Sequence, residues 1–164
     1  NPFPAICGRV CTHPCESRCR RAQLDEPLAI ADLKRYAADE AMKSGDFRPV
    51  NDVVFPRKNK SVAIIGAGPS GLTCAYFLGR MGYDIDVYEA QPVAGGMLAI
   101  GIPEYRLPGT VLDHEIRTIC QSGNIQIHTS TEIGRDIAFA DLKQSHDAIY
   151  IATGTQHSDR KSVV

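Results

Sequence analysis

The sequence has no apolar run approaching the roughly 20 residues needed to cross a bilayer, so no membrane-spanning helix is expected. It also has almost no net charge: 18 Lys and Arg against 19 Asp and Glu give −1 at neutral pH. That balance offers neither nucleic acid nor an anionic membrane surface an electrostatic footprint. The first residues, Asn1-Pro2-Phe3-Pro4, lack the basic region and apolar core of a secretion signal. An initiating methionine is missing, and the chain is expected to be an excised piece or a processed product. No internal repeat and no low-complexity segment appears. A length of 164 residues suits one ordinary domain with a real core and a small appendage.

Cysteine, by contrast, is plentiful and unevenly placed. Of six cysteines, four lie between residues 7 and 19. The rest of the chain carries a nucleotide-binding α/β pattern, which points to the cytoplasm and to metal or redox chemistry rather than to disulfides. Cys7, Cys11, Cys15 and Cys19 are spaced C-x3-C-x3-C-x3-C. Thiolates in fours ligate zinc or iron–sulfur clusters. On one continuous helix Cys7 and Cys19 would lie about 18 Å apart, too far to share a cluster. Either the chain breaks near Thr12-His13-Pro14, or the thiolates serve more than one cluster. An iron–sulfur role is the main reading; a structural zinc site and four inert packed thiols are the alternatives. Arg9, Arg18, Arg20 and Arg21 either offset cluster charge or form a solvated basic face. Cys74 and Cys120 sit at helical positions and read as core packing.

Residues 62–71, Val-Ala-Ile-Ile-Gly-Ala-Gly-Pro-Ser-Gly, carry the strongest signal. Val62 to Ile65 supply a buried strand. Gly66 makes the tight turn, Gly68 lets the backbone approach a pyrophosphate, and Gly71 permits close packing of the following helix. That helix presents free N–H groups and the positive end of its dipole to phosphates. A second strand, Ile85-Asp86-Val87-Tyr88, ends at Glu89, whose carboxylate suits a ribose diol. After Glu89 come Ala90-Gln91-Pro92-Val93-Ala94-Gly95-Gly96-Met97, where a double glycine turns tightly against a ligand. Arg106 is a candidate phosphate or flavin partner, and Gly154 ends a last strand at the carboxyl edge of the sheet.

The organisation follows from these landmarks. Residues 1–45 form a helical cysteine-rich module, 46–60 a linker with the basic cluster Arg57, Lys58 and Lys60, and 61–164 an incomplete α/β domain. A helix is expected over 27–43, capped by Asp25, with Pro27 in its first turn and one face made by Ile30, Leu33, Ala37 and Ala41; Gly45 follows its end. Strands are expected at 61–65, 84–89, 124–128 and 147–152. Helices are expected at 69–81, 110–121 and, as a short helix or turn, 138–143, with a Gly/Pro-rich loop over 91–109. Alternation of strand and helix predicts a doubly wound parallel sheet with right-handed crossovers, a Rossmann-like fold. His114, His128, His146 and His157 have no acid at a telling spacing and read as surface or loop residues. Asp84 and Asp86 are expected to face solvent.

Several motifs occur together: Cys7-Gly8-Arg9-Val10-Cys11, Gly66-Ala67-Gly68-Pro69-Ser70-Gly71-Leu72, Gly95-Gly96-Met97-Leu98, Gly101 to Pro108, and Ala152-Thr153-Gly154. In combination they resemble the small (beta) subunit of NADPH-dependent glutamate synthase. They also resemble the amino-terminal part of dihydropyrimidine dehydrogenase. The resemblance implies a helical module holding two [4Fe–4S] clusters, an FAD domain, and an NAD(P)H domain inserted into it. It further implies that hydride passes from NAD(P)H to FAD and that single electrons leave through the clusters to a larger catalytic subunit or fused domain. By position it implies that Gly66 to Gly71 bind the FAD pyrophosphate and Glu89 the adenosine ribose. Ala90 through Met97 would line the cofactor, Arg106 would approach it, and backbone at Ile133 would lie near the adenine. Cys7, Cys11, Cys15 and Cys19 would be the second cysteine motif of the module. No side chain is expected to act as acid, base or nucleophile. Two rival readings are an NAD-dependent Rossmann enzyme with a structural zinc module and a non-catalytic electron-transfer or docking subunit.

Overall fold

The computed structural model describes residues 1–44 and 55–155. Gly45, most of the expected linker, His157 and the remaining carboxyl-terminal residues lie outside the described residues. The elements run α1 (Pro4–Val10), a 3₁₀ turn (Arg20–Gln23), α2 (Ile30–Ser44), β1 (Ser61–Ile65), α3 (Pro69–Arg80), β2 (Asp84–Tyr88), α4 (Met97–Ile100), α5 (Gly109–Gln121), β3 (Asn124–His128), α6 (Phe139–Ser145) and β4 (Ala148–Ile151).

The four strands form one parallel sheet in the order β3-β2-β1-β4. The chain winds from β1 outward to β3, then crosses to β4 on the other side of β1. The strand order reverses between β1 and β4, which is where doubly wound sheets bind ligands, outside the carboxyl ends of the strands. Ile85 and Ile125 are register partners, and the Ile125 side chain lies against Gly79 of α3, so α3 covers their face. Asp86, Tyr88 and His128 take the opposite face by alternation. His146, just after α6, reaches Asp86 on that side.

The core is aliphatic. Ile64, Leu72, Ile85, Val87 and Ile119 are all fully buried, and each such side chain contributes about 1.5–3 kcal/mol of burial free energy. Phe3, Ala5 and Ile6 of the amino-terminal segment and Ala38 of α2 belong to this same cluster. α1 crosses α2 at Gly8, where an added Cβ would sit 2.7 Å from the Arg35 Cα. Only a residue without a side chain permits that approach.

Several expectations are corrected. α2 starts at Ile30, three residues beyond Pro27, and Asp25 does not cap it. The Asp25 carboxylate is held by Arg21 instead, and Glu16 Oε1 accepts the Ala31 amide at 2.8 Å. The expected apolar stripe faces inward only in part: Ile30 and Ala41 are half-buried, but Leu33 is 57 % exposed and Ala37 is exposed, while Ala38 is buried. The helix is rotated because its contact with α1 is made at Gly8 and through the Arg9–Asp39 ion pair at 2.6 Å. The basic cluster of the expected linker is tied to the sheet by ion pairs. Arg57 pairs with Asp84 and Lys60 with Asp147, each at 2.7 Å. The Phe55 and Lys58 amides donate to Arg80 and Gly82 carbonyls.

Two histidines find an acid partner that the sequence does not mark. His128 Nε2 lies 2.7 Å from one Asp86 oxygen and His146 Nε2 3.3 Å from the other. The Tyr88 ring stacks on His128. These partners lie 42 and 60 residues apart in the chain, so no sequence spacing could reveal them. Asp84 accepts from Arg57 and Asn124.

Candidate functional site

The first glycine turn meets the last strand. Gly66 has φ +107°, and a Cβ there would stand 2.3 Å from the Ala152 carbonyl oxygen. A Cβ on Gly71 would lie 1.9 Å from the Gly66 carbonyl oxygen. Both positions must therefore be glycine for β1, α3 and the end of β4 to converge. Gly68 differs: a Cβ there would meet nothing closer than the Gly96 Cα at 3.9 Å. Its bareness serves the space outside the protein. Pro69 opens α3, Gly68 is its N-cap, and no side chain caps the first turn. The amides there are left for an external acceptor.

Glu89 closes this turn from the side. It is buried, with Oε2 accepting the Ala67 amide at 2.8 Å and Oε1 the Gln91 amide at 2.9 Å. Its own amide donates to the His128 carbonyl, and its carbonyl accepts from Thr131. Each carboxylate oxygen keeps lone-pair capacity for a further donor.

The second glycine turn interlocks with the first. The Gly95 amide donates to the Ala67 carbonyl at 2.8 Å, so that amide serves the protein and not a ligand. Gly96, at φ +54°, brings its Cα against Gly68, where an added Cβ would lie 2.9 Å away. Met97 begins the short helix α4, inside the stretch read as loop.

Together these pieces enclose an open cleft of about 600 Å³, within the range of ligand sites. Its lining brings together Gly66, Gly68, Pro69, Ser70, Glu89, Ala90, Gly96, Met97, Ile133 and Gly154 from the sequence reading. Ala67, Gly71, Gln91 and Gly95 support it from behind. Arg106 is exposed and stands outside the lining. Sequence reasoning missed Tyr88, Thr131, Glu132 and Thr153, which also line the cleft. Tyr88 was legible in principle, as the residue before the acid at the strand end. Thr131 and Glu132 follow a strand with no motif to mark them.

The cysteine segment breaks where expected. α1 ends at Val10, and His13 takes φ +43° ahead of Pro14. All four thiols are free. Backbone amides of Leu28, Arg21 and Ala22 directed at Cys19 hold its thiol below the ordinary range, favouring the thiolate that binds metal. The Cys11 sulfur accepts the His13 amide at 3.4 Å. Cys7 packs against the apolar core from α1. Among the described residues, no three Cys, His, Asp or Glu groups converge on a point that a metal ion could occupy. The sulfur chemistry fits a thiolate-ligated cluster, but the described residues do not close a site alone. Cys74 and Cys120 have thiols pushed up by burial, as packed residues should. Among the described residues no helix is long and apolar enough to cross a membrane.

Two family models match. Residues 1–46 match a dihydropyrimidine dehydrogenase domain II, 4Fe-4S cluster, and residues 64–129 an NAD(P)-binding Rossmann-like domain. The NADPH-Fe(3+) oxidoreductase subunit beta of Geobacter sulfurreducens is 46 % identical over 96 % of this chain and 23 % of its own length. The glutamate synthase [NADPH] small chain of Bacillus subtilis is 38 % identical over 95 % of this chain and 31 % of its own. FprA from Mycobacterium tuberculosis shares the fold, with a TM-score of 0.53 at 17 % identity over 63 % of this chain and 24 % of that one. The chain spans about a quarter to a third of the length of these two curated relatives. A cysteine-rich segment matching a 4Fe-4S cluster model packs onto a glycine-turn Rossmann unit, and nearly the whole chain is similar to the corresponding part of the glutamate synthase small chain and of related oxidoreductase subunits.

Proposed function

We propose that this chain is the cluster-bearing and flavin-binding part of an NAD(P)H-dependent electron-transfer oxidoreductase subunit. The cleft between β1 and β4 holds the ADP half of FAD. Free amides at the start of α3 take the pyrophosphate, with Gly68 and Gly96 giving it room. Glu89 accepts the ribose hydroxyls, and Thr131 to Ile133 flank the adenine. Met97 and Gly154 face the part of the cofactor beyond the pyrophosphate. Bound FAD supplies hydride acceptance and stepwise electron release. The protein's part is to fix its place and exclude water.

Residues 1–45 act as the cluster module, joined by 46–60 to the flavin-binding part, 61–164. Cys7, Cys11, Cys15 and Cys19 supply thiolates to [4Fe–4S] clusters. Because these sulfurs do not converge among the described residues, the reading has them shared between clusters, with further ligands from outside the chain described here. Electrons then pass to a larger subunit or fused domain. The Geobacter sulfurreducens relative is itself named a subunit. The setting is cytoplasmic, where thiols stay reduced.

The observation that carries this reading is the Glu89–Ala67 bond at the interlocked glycine turns. It fixes a diol acceptor beside a bare phosphate loop. The test is anaerobic purification of the parent protein with measurement of FAD, iron and sulfide. Stoichiometric flavin with iron supports the reading. A colourless protein that retains NAD(P) and zinc supports the Rossmann enzyme with a structural zinc module instead.

A further inference from the structure

Glu115 lies in α5 among Val111, Leu112 and Ile119, and is 1 % exposed. The proposed chemistry does not use it, and an aliphatic residue would suit the position by periodicity. Its carboxylate points at α1. Oε1 accepts the Ala5 amide and Oε2 accepts the Ile6 amide at 3.2 Å, across 110 and 109 residues of chain. Phe3 at the N-cap of α1 makes no side-chain cap bond, so the orphan amides of this helix are satisfied from a different element. From within α1, Arg9 donates to the Ala5 carbonyl and to Asp39 of α2. A polar thread therefore runs from α5 through α1 to α2 inside an otherwise apolar contact.

One helical turn before Glu115, Leu112 backs the second glycine turn: a Cβ on Gly95 would lie 3.0 Å from its side chain. The same face of α5 thus supports the cleft and holds the helix that carries Cys7. Apolar packing is non-directional and tolerates small shifts along a helix more readily than directed hydrogen bonds do. Two hydrogen bonds from successive amides to one carboxylate fix the position of α1 along α5.

We propose that Glu115 is a positioning residue that pins the start of the cysteine segment to α5 and so gives Cys7 and Cys11 one fixed place relative to the cleft. The pinning stands on geometry alone; its consequence for electron passage rests on the FAD and iron–sulfur reading above.

The test uses the full parent protein with Glu115→Ala, Glu115→Gln and, as an exposed control on α5, Asp113→Ala. Amide hydrogen exchange is read at Ala5 and Ile6 against Ile64 in β1. Stopped-flow reduction by NAD(P)H gives the ratio of cluster to flavin reduction rates. With both acceptors gone, Glu115→Ala should raise exchange at Ala5 and Ile6 roughly tenfold or more while Ile64 is unchanged. It should also lower the rate ratio with flavin reduction intact. Glu115→Gln keeps one acceptor, falls between, and carries the test if the alanine variant does not fold. Asp113→Ala should match wild type. Unchanged exchange at Ala5 and Ile6, or exchange rising in step with Ile64, overturns the pinning. Local exchange without a change in the rate ratio overturns its effect on electron passage. Parent protein lacking flavin and iron would instead overturn the functional reading, while the exchange data still decide the pinning.

Discussion

The Glu89 carboxylate accepts the Ala67 amide at 2.8 Å, joining the end of β2 to the glycine turn 22 residues earlier. This bond does two things. It satisfies a buried amide in the turn, and it points an anionic acceptor at the cleft. Glu89→Ala leaves the Ala67 and Gln91 amides without their partner, costing about 1–3 kcal/mol per unsatisfied buried group. We expect a lower thermal midpoint and at least tenfold weaker FAD retention. Glu89→Gln keeps an acceptor for one amide and should lose less stability, as thermal unfolding with and without added FAD will show.

The glycines separate into two classes, and substitution distinguishes them. Gly71→Ala drives a methyl into the Gly66 carbonyl and should cost about 2 kcal/mol or more, since overpacking displaces backbone. Gly68→Ala meets only ordinary contact and should change stability by less than about 0.5 kcal/mol. Its methyl occupies the phosphate approach, so nucleotide affinity should fall while the unfolding midpoint stays. Equal loss of stability in both variants would contradict the assignment.

Burial raises the Glu115 carboxyl from an ordinary 4.5 to about 7, with the Ala5 and Ile6 amides and Arg9 opposing the shift. A raised folded-state value means the folded protein binds the proton more tightly than the unfolded chain. The resulting stability is fully present below about pH 4.5 and is lost as pH rises through 7. The difference is on the order of 3 kcal/mol. Denaturant titrations between pH 5 and 8 should show wild type losing stability that Glu115→Gln does not lose. Parallel curves would contradict the shift.

The thiols should differ in reactivity. Amides of Leu28, Arg21 and Ala22 lower the Cys19 thiol, whereas burial raises Cys74 and Cys120. Alkylation of cluster-free protein at neutral pH should label Cys19 several-fold faster than either, because the thiolate is the nucleophile. Mass spectrometry of the labelled peptides measures it. Faster labelling of Cys74 would contradict the local electrostatics.

The βαβ unit was legible because its signals are local. Val62 to Ile65, the glycine turn, Pro69 at the helix start and Glu89 lie in order within one stretch, and their elements appear at Ser61–Ile65, Pro69–Arg80 and Asp84–Tyr88. The far wall of the cleft, Thr131 and Glu132, was not legible, because its place depends on how β3 docks. Helix α2 was located, but only Ile30 and Ala41 of its expected inner face are half-buried. Periodicity favours Leu33, whereas contact with α1 is set by Gly8 and Arg9. Glu115 was invisible for a related reason: its partners are backbone amides at the other end of the chain. Local pattern reports elements; long-range polar contacts appear only once the elements have docked.

The account's central claim is that the cleft between β1 and β4 holds FAD. It is tested most directly by the flavin content of the anaerobically purified parent protein beside its Gly68→Ala variant. The prediction is about one FAD per chain in the wild type and markedly less in a variant of unchanged fold. Wild-type protein without flavin, or a Gly68→Ala variant with its full complement, would contradict it.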